Sequence, residues 1–258
     1  MPQVTRRAPG SPLGLVPFLV PHWPSRSAFD DLVAAIATAG FTAFELALPA
    51  SSSSPATGSF IAEALQATHL PIDEVLAIAN QIRPSIAVVY RSTIEQFGRD
   101  RLLDVIAPTF DHVMLEDQGD ASPAWIDACH ARGLGWIEVC AVDQVDDRTA
   151  KDLAARLPRD GSLYLTLASA TGSASASAAA LAQAVKAVRE RRDDLVITTG
   201  FGVASPAQVA RLAEIAELDS VAVGTKLMRC LLRDAHEAGE YYAALVTAAG
   251  DGASHATI

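Results

Sequence analysis

The sequence predicts an α/β protein built as a single (βα)8 TIM barrel over residues 1–258, with a parallel eight-stranded core. Short runs rich in β-branched residues alternate with longer segments in which apolar residues recur every three or four positions. This alternation is typical of repeated βαβ units. Eight repeats of about 32 residues match the usual size of such a barrel. No Pro-rich or Gly/Ser-rich linker divides the chain, so we expect one domain; the alternative is an open doubly wound sheet.

The predicted strands occupy residues 13–20, 42–48, 85–90, 111–115, 135–140, 162–167, 195–199 and 220–223. Each is a short apolar run of the kind that forms a buried parallel strand. The stretches between them carry apolar residues at helical spacing. These helical faces contain Leu32, Ile36, Leu102, Ile106, Leu153, Leu157, Leu181, Val185 and Val188.

Charge and composition exclude several kinds of function. Twenty Lys and Arg against 30 Asp and Glu give a net charge of −10, which argues against a nucleic-acid or anionic-membrane surface. Three cysteines without CxxC spacing indicate neither a disulfide framework nor a zinc knuckle. Prolines interrupt the apolar run near the N terminus, and the uncharged stretch 161–185 consists mostly of small residues. Neither is typical of a signal peptide or membrane span, so we expect a cytoplasmic protein.

The barrel prediction locates a site before any motif is considered. Chemistry in these barrels lies at the carboxyl ends of the strands and in the loops that follow. The residues at these positions are, in chain order, His22, Glu45, Tyr90, Arg91, Glu116, Asp117, Cys140, the 169–173 segment, the 200–202 segment, Gly224 and Thr225.

Glycine-containing turns follow the last three predicted strands. They are Thr171-Gly172, Gly200-Phe201-Gly202 and Gly224-Thr225. Glycine lets backbone N–H groups approach an anion closely, and a helix N terminus adds a favourable dipole. These turns predict a phosphate site, unless the glycines serve only to make tight turns. Its residues are Thr171, Gly172, Gly202, Gly224 and Thr225.

A carboxylate stands inside the second predicted strand. Glu45 lies in the apolar run Phe-Glu-Leu-Ala-Leu-Pro, where an ionised side chain costs several kcal/mol unless it is paired. Burial raises the pKa of such a carboxyl toward the range useful for proton transfer at neutral pH. Glu45 is therefore a candidate general acid and base, the alternative being a structural role with a partner across the barrel. The uncharged loop 50–58 that follows is either a mobile lid or a solvated connection.

At these residues the sequence resembles the tryptophan synthase α-subunit family, colinearly over about residues 14–230. The run E-L-A-L-P resembles the family's E-L-G-x-P, and A-T-G resembles the end of its G-V-T-G. The run G-F-G-V-A-S-P resembles the family's phosphate motif G-F-G-I-S-x-P, and V-G-T resembles V-G-S.

The resemblance implies a role for each matched position. Glu45 falls on the family's catalytic glutamate, Tyr90 on a substrate-side tyrosine, and Thr57 on the place of a second catalytic acid. We count these three as the catalytic set. The expected substrate pocket adds Phe18, His22, Glu116, Asp117 and Phe201.

Members of this family cleave indole-3-glycerol phosphate into indole and glyceraldehyde 3-phosphate by a retro-aldol reaction. They need no cofactor and usually pass the indole to a β-subunit. The resemblance thus implies a cofactor-free carbon–carbon lyase acting on that substrate or a related phosphorylated one. The alternative is a non-catalytic paralogue that binds a phosphorylated metabolite or modulates a partner.

Three segments depart from the family pattern. Thr57 replaces an aspartate that contacts the indole nitrogen, and its hydroxyl carries no charge to stabilise the cation formed during cleavage. Pro21-His22-Trp23-Pro24 replaces A-G-D-P, and Glu116-Asp117-Gln118-Gly119 replaces P-D-L-P. Because these loops resemble the β-subunit face, we expect β-subunit association to be weak or absent.

A divalent-metal site is a further alternative. His22, Glu45, Glu116 and Glu138 together would offer the oxygen-rich ligand set that magnesium prefers. Their spacing is not that of a metal motif, so we predict no metal.

Overall fold

Eight parallel strands close into a barrel in the computed structural model, which describes residues 6–8, 10–54, 57–116, 123–159, 161–167 and 176–250. Each strand pairs with its neighbours in chain order, and β8 returns to pair with β1. The strands are β1 Gly14–Leu19, β2 Phe44–Ala47, β3 Ser85–Val89, β4 His112–Leu115, β5 Gly135–Ala141, β6 Ser162–Thr166, β7 Val196–Gly200 and β8 Ser220–Val223. The predicted (βα)8 barrel is confirmed, and the open sheet is wrong.

Helices surround the barrel wherever the helical spacing predicts them. Some connections contain two helices rather than one. The helices are α1 Arg26–Ala39, α2 Ser59–Thr68, α3 Ile72–Ala79, α4 Arg91–Phe97, α5 Arg99–Ile106, α6 Pro123–His130, α7 Asp147–Arg156, α8 Ala178–Arg189, α9 Pro206–Ala213, α10 Thr225–Arg233 and α11 Ala235–Ala249. None of the helices within the described ranges is long and apolar enough to cross a bilayer.

The core lies between the strands and the helical faces. The apolar residues that mark the predicted helical faces are all buried, as are most side chains of the strands. Gly14 lies in a tightly packed position where β1 begins. A Cβ there would lie 2.4 Å from Thr42 Oγ1 and 3.1 Å from the carbonyl oxygen of Asp219, so a larger residue would require these neighbours to shift.

Two buried carboxylates fasten the strands at their amino ends. Asp219, just before β8, accepts hydrogen bonds from Arg189 Nη2 at 2.6 Å and from the backbone N–H of Ile197 at 2.7 Å. Asp111, just before β4, pairs with Arg83 and accepts from the N–H of Ser85 at 2.9 Å. Buried charges are tolerated when they are paired and hydrogen-bonded in this way. These contacts lie at the end of the barrel opposite the loops that follow the strands.

Candidate active site

A cavity of about 250 Å³ opens at the carboxyl ends of the strands. Most of the predicted site residues line it, although they come from six strands or their following loops. Those residues are Phe18, Glu45, Thr57, Tyr90, Glu116, Phe201, Gly202, Gly224 and Thr225. The barrel topology therefore brings the proton-transfer candidate and the glycine turns of β7 and β8 to one cavity.

Some predicted residues are not part of this set. Asp117, Thr171 and Gly172 lie outside the described residues. His22 is described but is not among the residues that line the cavity. Its ring packs edge-on against Phe29 at 5.7 Å, and its Nδ1 lies 3.9 Å from Glu74, so it faces the neighbouring helices α1 and α3.

Glu45 is an isolated carboxyl in the cavity wall. It lies in the middle of β2, which is buried at every position, and is paired in register with Phe18 of β1 and Ile86 of β3. Only 3% of the residue is exposed, and Oε1 is buried with no hydrogen-bond partner among the described residues. Burial raises the pKa of Glu45 from 4.5 to about 8. At neutral pH the side chain is therefore mostly protonated, and it can exchange a proton near physiological pH.

This raised pKa predicts how stability depends on pH. Between the unfolded pKa of 4.5 and the folded pKa of about 8, the folded state holds a proton that the unfolded state has lost. The contribution of Glu45 is therefore largest at acid pH, and it falls as pH rises through this window by up to about 5 kcal/mol. We expect urea unfolding of the ligand-free protein to give a smaller pH-dependent loss for Glu45→Gln than for the parent. Parallel pH profiles of the two proteins contradict this.

Two buried tyrosines accompany Glu45. Burial raises the pKa of Tyr90, and the negative charges of Glu116 and Glu45 raise it further. Burial and Glu45 likewise raise the pKa of Tyr164. Both phenols therefore stay neutral, so each keeps an O–H that can donate a hydrogen bond.

Tyr164 is a cavity residue that the sequence reading did not identify. It lies in the middle of β6, and a Cβ on Gly200 would stand 1.7 Å from its hydroxyl oxygen. Gly200 is thus needed to accommodate this side chain, besides beginning the turn after β7. The sequence feature that could have identified Tyr164 is a tyrosine between Leu163 and Leu165 in a predicted strand.

Another part of the cavity wall is formed by the turns after β7 and β8. Phe201 and Gly202 both have left-handed backbones, with φ of 55° and 92°. A bulky residue at positive φ is uncommon and marks functional sites more often than ordinary loops. After β8, Gly224 is the N-cap of α10, and Thr225 Oγ1 is buried without a partner among the described residues. A helix N terminus with an unpaired buried hydroxyl is suited to an anion.

Two cations of α10 also line the cavity. Lys226 and Arg229 line it from the first two turns of α10, and the guanidinium carbon of Arg229 lies 5.1 Å from the ring centroid of Phe60. The sequence reading missed both. The signal was their spacing, since residues three apart after Gly224-Thr225 share one face of a helix.

Glu116 connects the loop after β2 to the cavity. Its Oε1 accepts hydrogen bonds from the Thr57 hydroxyl, from the Ser54 hydroxyl and, at 3.0 Å, from the Ser54 backbone N–H. Its Oε2 is buried without a partner among the described residues. Earlier in the same loop, the N–H groups of Ser51 and Ser52 donate to Ser92 Oγ at 3.1 and 3.2 Å. The described part of this loop is therefore hydrogen-bonded to the barrel.

The alternative metal grouping of His22, Glu45, Glu116 and Glu138 does not form. Glu138 accepts from Trp136 Nε1 at 2.9 Å and pairs with Arg156, whereas its neighbour Val139 lines the cavity. Among the described residues no three His, Cys, Asp or Glu side chains converge as a metal ion requires. Cys140 is not among the cavity-lining residues, and burial raises the pKa of its thiol to about 11.

Known proteins share both the sequence pattern and the fold of this chain. A relative named tryptophan synthase alpha chain, from Solibacter usitatus, is 28% identical over 234 residues. The alignment covers 87% of this chain and 85% of the relative. One of the same name from Geobacter sulfurreducens is 28% identical over 244 residues, covering 91% and 90%. Solved structures are similar in fold. Tryptophan synthase from Mycobacterium tuberculosis gives a TM-score of 0.79 at 21% identity, covering 93% of this chain and 94% of that one.

A second solved structure, tryptophan synthase subunit alpha from Legionella pneumophila, gives a TM-score of 0.73 at 22% identity and covers 94% of both chains. The family model described as tryptophan synthase alpha chain matches residues 8–256, which is nearly the whole sequence. The chain belongs to the tryptophan synthase alpha chain family.

Proposed function

We propose that this protein is a carbon–carbon lyase that cleaves indole-3-glycerol phosphate, or a related phosphorylated substrate, by a retro-aldol reaction. The observation that carries the proposal is the placement of Glu45. It is a buried carboxyl with a pKa of about 8, and it lines the same cavity as the turns after β7 and β8. Family membership supports the choice of substrate.

In the proposed reaction the phosphate binds the N–H groups around Gly202 and Gly224, with the Thr225 hydroxyl as a further donor. This anchoring holds the three-carbon chain in register with Glu45. Glu45 takes the proton of the hydroxyl beside the scissile bond and delivers it to the ring carbon that bears the chain, so that the ring becomes an indolenine-like cation. The carbon–carbon bond then breaks as the aldehyde forms, and its electron pair returns to the ring and neutralises that cation. The net change is a proton transfer from oxygen to carbon.

Tyr90 and Tyr164 are assigned to the polar wall around this proton transfer. Both phenols stay protonated, so each can donate a hydrogen bond to a substrate oxygen that becomes more negative as the bond breaks. The apolar residues Phe18, Val88 and Val139 that also line the cavity exclude water from the reacting atoms.

A non-catalytic paralogue that binds a phosphorylated metabolite is the second candidate. It is favoured by Thr57, which stands at the place of a family acid and donates its hydroxyl to Glu116. Losing one preorganised electrostatic partner typically lowers a rate by about 10² to 10³. Such a loss makes an enzyme slow without removing its ability to bind ligand.

The deciding experiment incubates the protein with indole-3-glycerol phosphate and follows the release of indole and glyceraldehyde 3-phosphate, beside Thr57→Asp. Release from the parent in equal amounts of both products supports the lyase. Release from Thr57→Asp alone indicates a site adapted to a different phosphorylated substrate. No release from either protein, with glycerol phosphate still bound, supports the binding paralogue.

We further propose that the chain forms no stable complex with a tryptophan synthase β-subunit. The segments 21–24 and 116–119 both depart from the family pattern on the side that resembles the β-subunit face. We expect size-exclusion chromatography of a mixture with a β-subunit from a related organism to give two separate peaks. A stoichiometric complex that survives the column contradicts this.

A further inference from the structure

The carboxylate of Glu116 has one satisfied oxygen and one unsatisfied oxygen. Three donors from the loop after β2 meet at Oε1, namely the Thr57 hydroxyl and the hydroxyl and N–H of Ser54. Oε2 is buried and has no partner among the described residues. A buried acceptor without a partner costs free energy unless something else donates to it.

The position of Glu116 indicates what that donor is. Glu116 lines the cavity directly after β4, beside Met114 and Leu115, which also line it. The two glycine turns follow β7 and β8, and α10 with its cations follows β8, and these strands are far from β4 in the barrel order. A ligand whose phosphate lies at those turns therefore has its other end close to Glu116.

The geometry points to Glu116 as a specificity-determining residue of the cavity: its Oε2 accepts a hydrogen bond from an N–H on the non-phosphate half of the substrate. The inference rests on the proposed function for the class of substrate, but it does not require that the protein cleave that substrate. The three donors on Oε1 fix the orientation of the carboxylate, so Oε2 is held in place before the ligand arrives. A preorganised acceptor of this kind selects for ligands that carry a donor.

The same contacts couple ligand recognition to the loop. Ser54 and Thr57 hold the carboxylate from the loop side, and a ligand N–H would hold it from the cavity side. A glutamine amide at position 116 cannot accept hydrogen bonds from both the loop and the ligand at once. If the oxygen of a glutamine faces Ser54 and Thr57, its NH2 meets the ligand N–H; if the amide is flipped, its NH2 meets three donors.

The test compares two non-cleavable ligands in binding experiments. One is indole joined by a three-carbon chain to phosphate, and the other is its benzothiophene counterpart, in which sulfur replaces the ring N–H. We expect the parent to bind the indole compound about 10- to 100-fold more tightly than the benzothiophene compound. In Glu116→Gln this ratio is expected to fall to about threefold or less.

Thr57→Val is the matched control. It removes one donor from Oε1 but leaves Oε2, so we expect overall affinity to fall while the preference for the indole compound remains. Equal affinities of the parent for the two ligands overturn the inference, as does failure to bind either. Because the parent alone can overturn the inference, it stays falsifiable even if Glu116→Gln does not fold.

These outcomes separate the inference from the proposed function. A parent that prefers the indole compound, with that preference lost in Glu116→Gln, but that does not cleave indole-3-glycerol phosphate supports the role of Glu116 and contradicts the lyase. A parent that cleaves the substrate but binds both compounds equally supports the lyase and contradicts the role of Glu116. A Glu116→Gln protein that weakens both ligands equally shows that Glu116 only holds the loop.

Discussion

Glu45→Gln is expected to lower the rate of indole-3-glycerol phosphate cleavage by about 10³-fold, within the range of 10² to 10⁴ that a positioned general acid and base contributes. Glutamine has the shape of the protonated carboxyl but cannot take or return a proton. Because the proposed phosphate contacts are made by the turns after β7 and β8 and not by Glu45, the affinity for glycerol phosphate is expected to change little. Single-turnover assays with product detection, beside isothermal titration, measure both quantities.

The pH profile gives an independent check on the same residue. The pKa of Glu45 is about 8, and the proposed reaction begins with the deprotonated form. We therefore expect the parent rate to rise with pH from 6 toward 8 and to level off above that. Glu95→Gln, a change at an exposed position of α4, serves as the control and should leave the profile unaltered. A Glu45→Gln protein with parental activity removes Glu45 from the mechanism.

Gly202→Asp is expected to reduce the affinity for glycerol phosphate by more than about 100-fold, because two effects act together. Gly202 has a φ of 92°, which a residue with a Cβ adopts only with strain. The added carboxylate also places a negative charge in the turn that is expected to hold the phosphate. Binding is measured by titration, and folding by circular dichroism and urea unfolding.

Gly98→Asp is the matched control for this change. Gly98 also has a positive φ, 73°, at the junction of α4 and α5, and a Cβ there meets no atom within 4 Å. It therefore carries the backbone cost of the same substitution without a role in the cavity. We expect Gly98→Asp to lose stability and keep its affinity. Unchanged affinity in a folded Gly202→Asp protein would falsify the assignment of this turn to phosphate.

The parts of the fold that repeat along the chain could be predicted from the sequence. Every predicted strand is present, because a buried parallel strand needs a short apolar run and little else. The glycine turns of β7 and β8 and Glu45 could be found as well, since a barrel places the carboxyl ends of its strands together. For these residues the local sequence pattern and the barrel topology predict the same position.

The contacts of the loop after β2 could not be predicted. Thr57 matched the place of a family acid, but its hydroxyl donates to Glu116, a residue 59 positions away. His22 stood at a strand end, but its ring lies against Phe29 of α1. Both outcomes depend on the path of an irregular loop, which has no periodicity to read. Tyr164 was missed for a related reason, because its orientation depends on strand register.

The ion pairs Arg189–Asp219 and Arg83–Asp111 lie where the strands begin, whereas the cavity lies where they end. This separation bears on how the protein can change over evolutionary time. A substitution such as a new residue at position 57 or 116 alters what the cavity accepts and leaves the pairs that fasten the barrel intact. Most mutations lower stability, and selection removes those that take a protein below the stability it needs to function. Here a lineage can exchange loop residues one at a time, and selection then acts on the ligand rather than on folding.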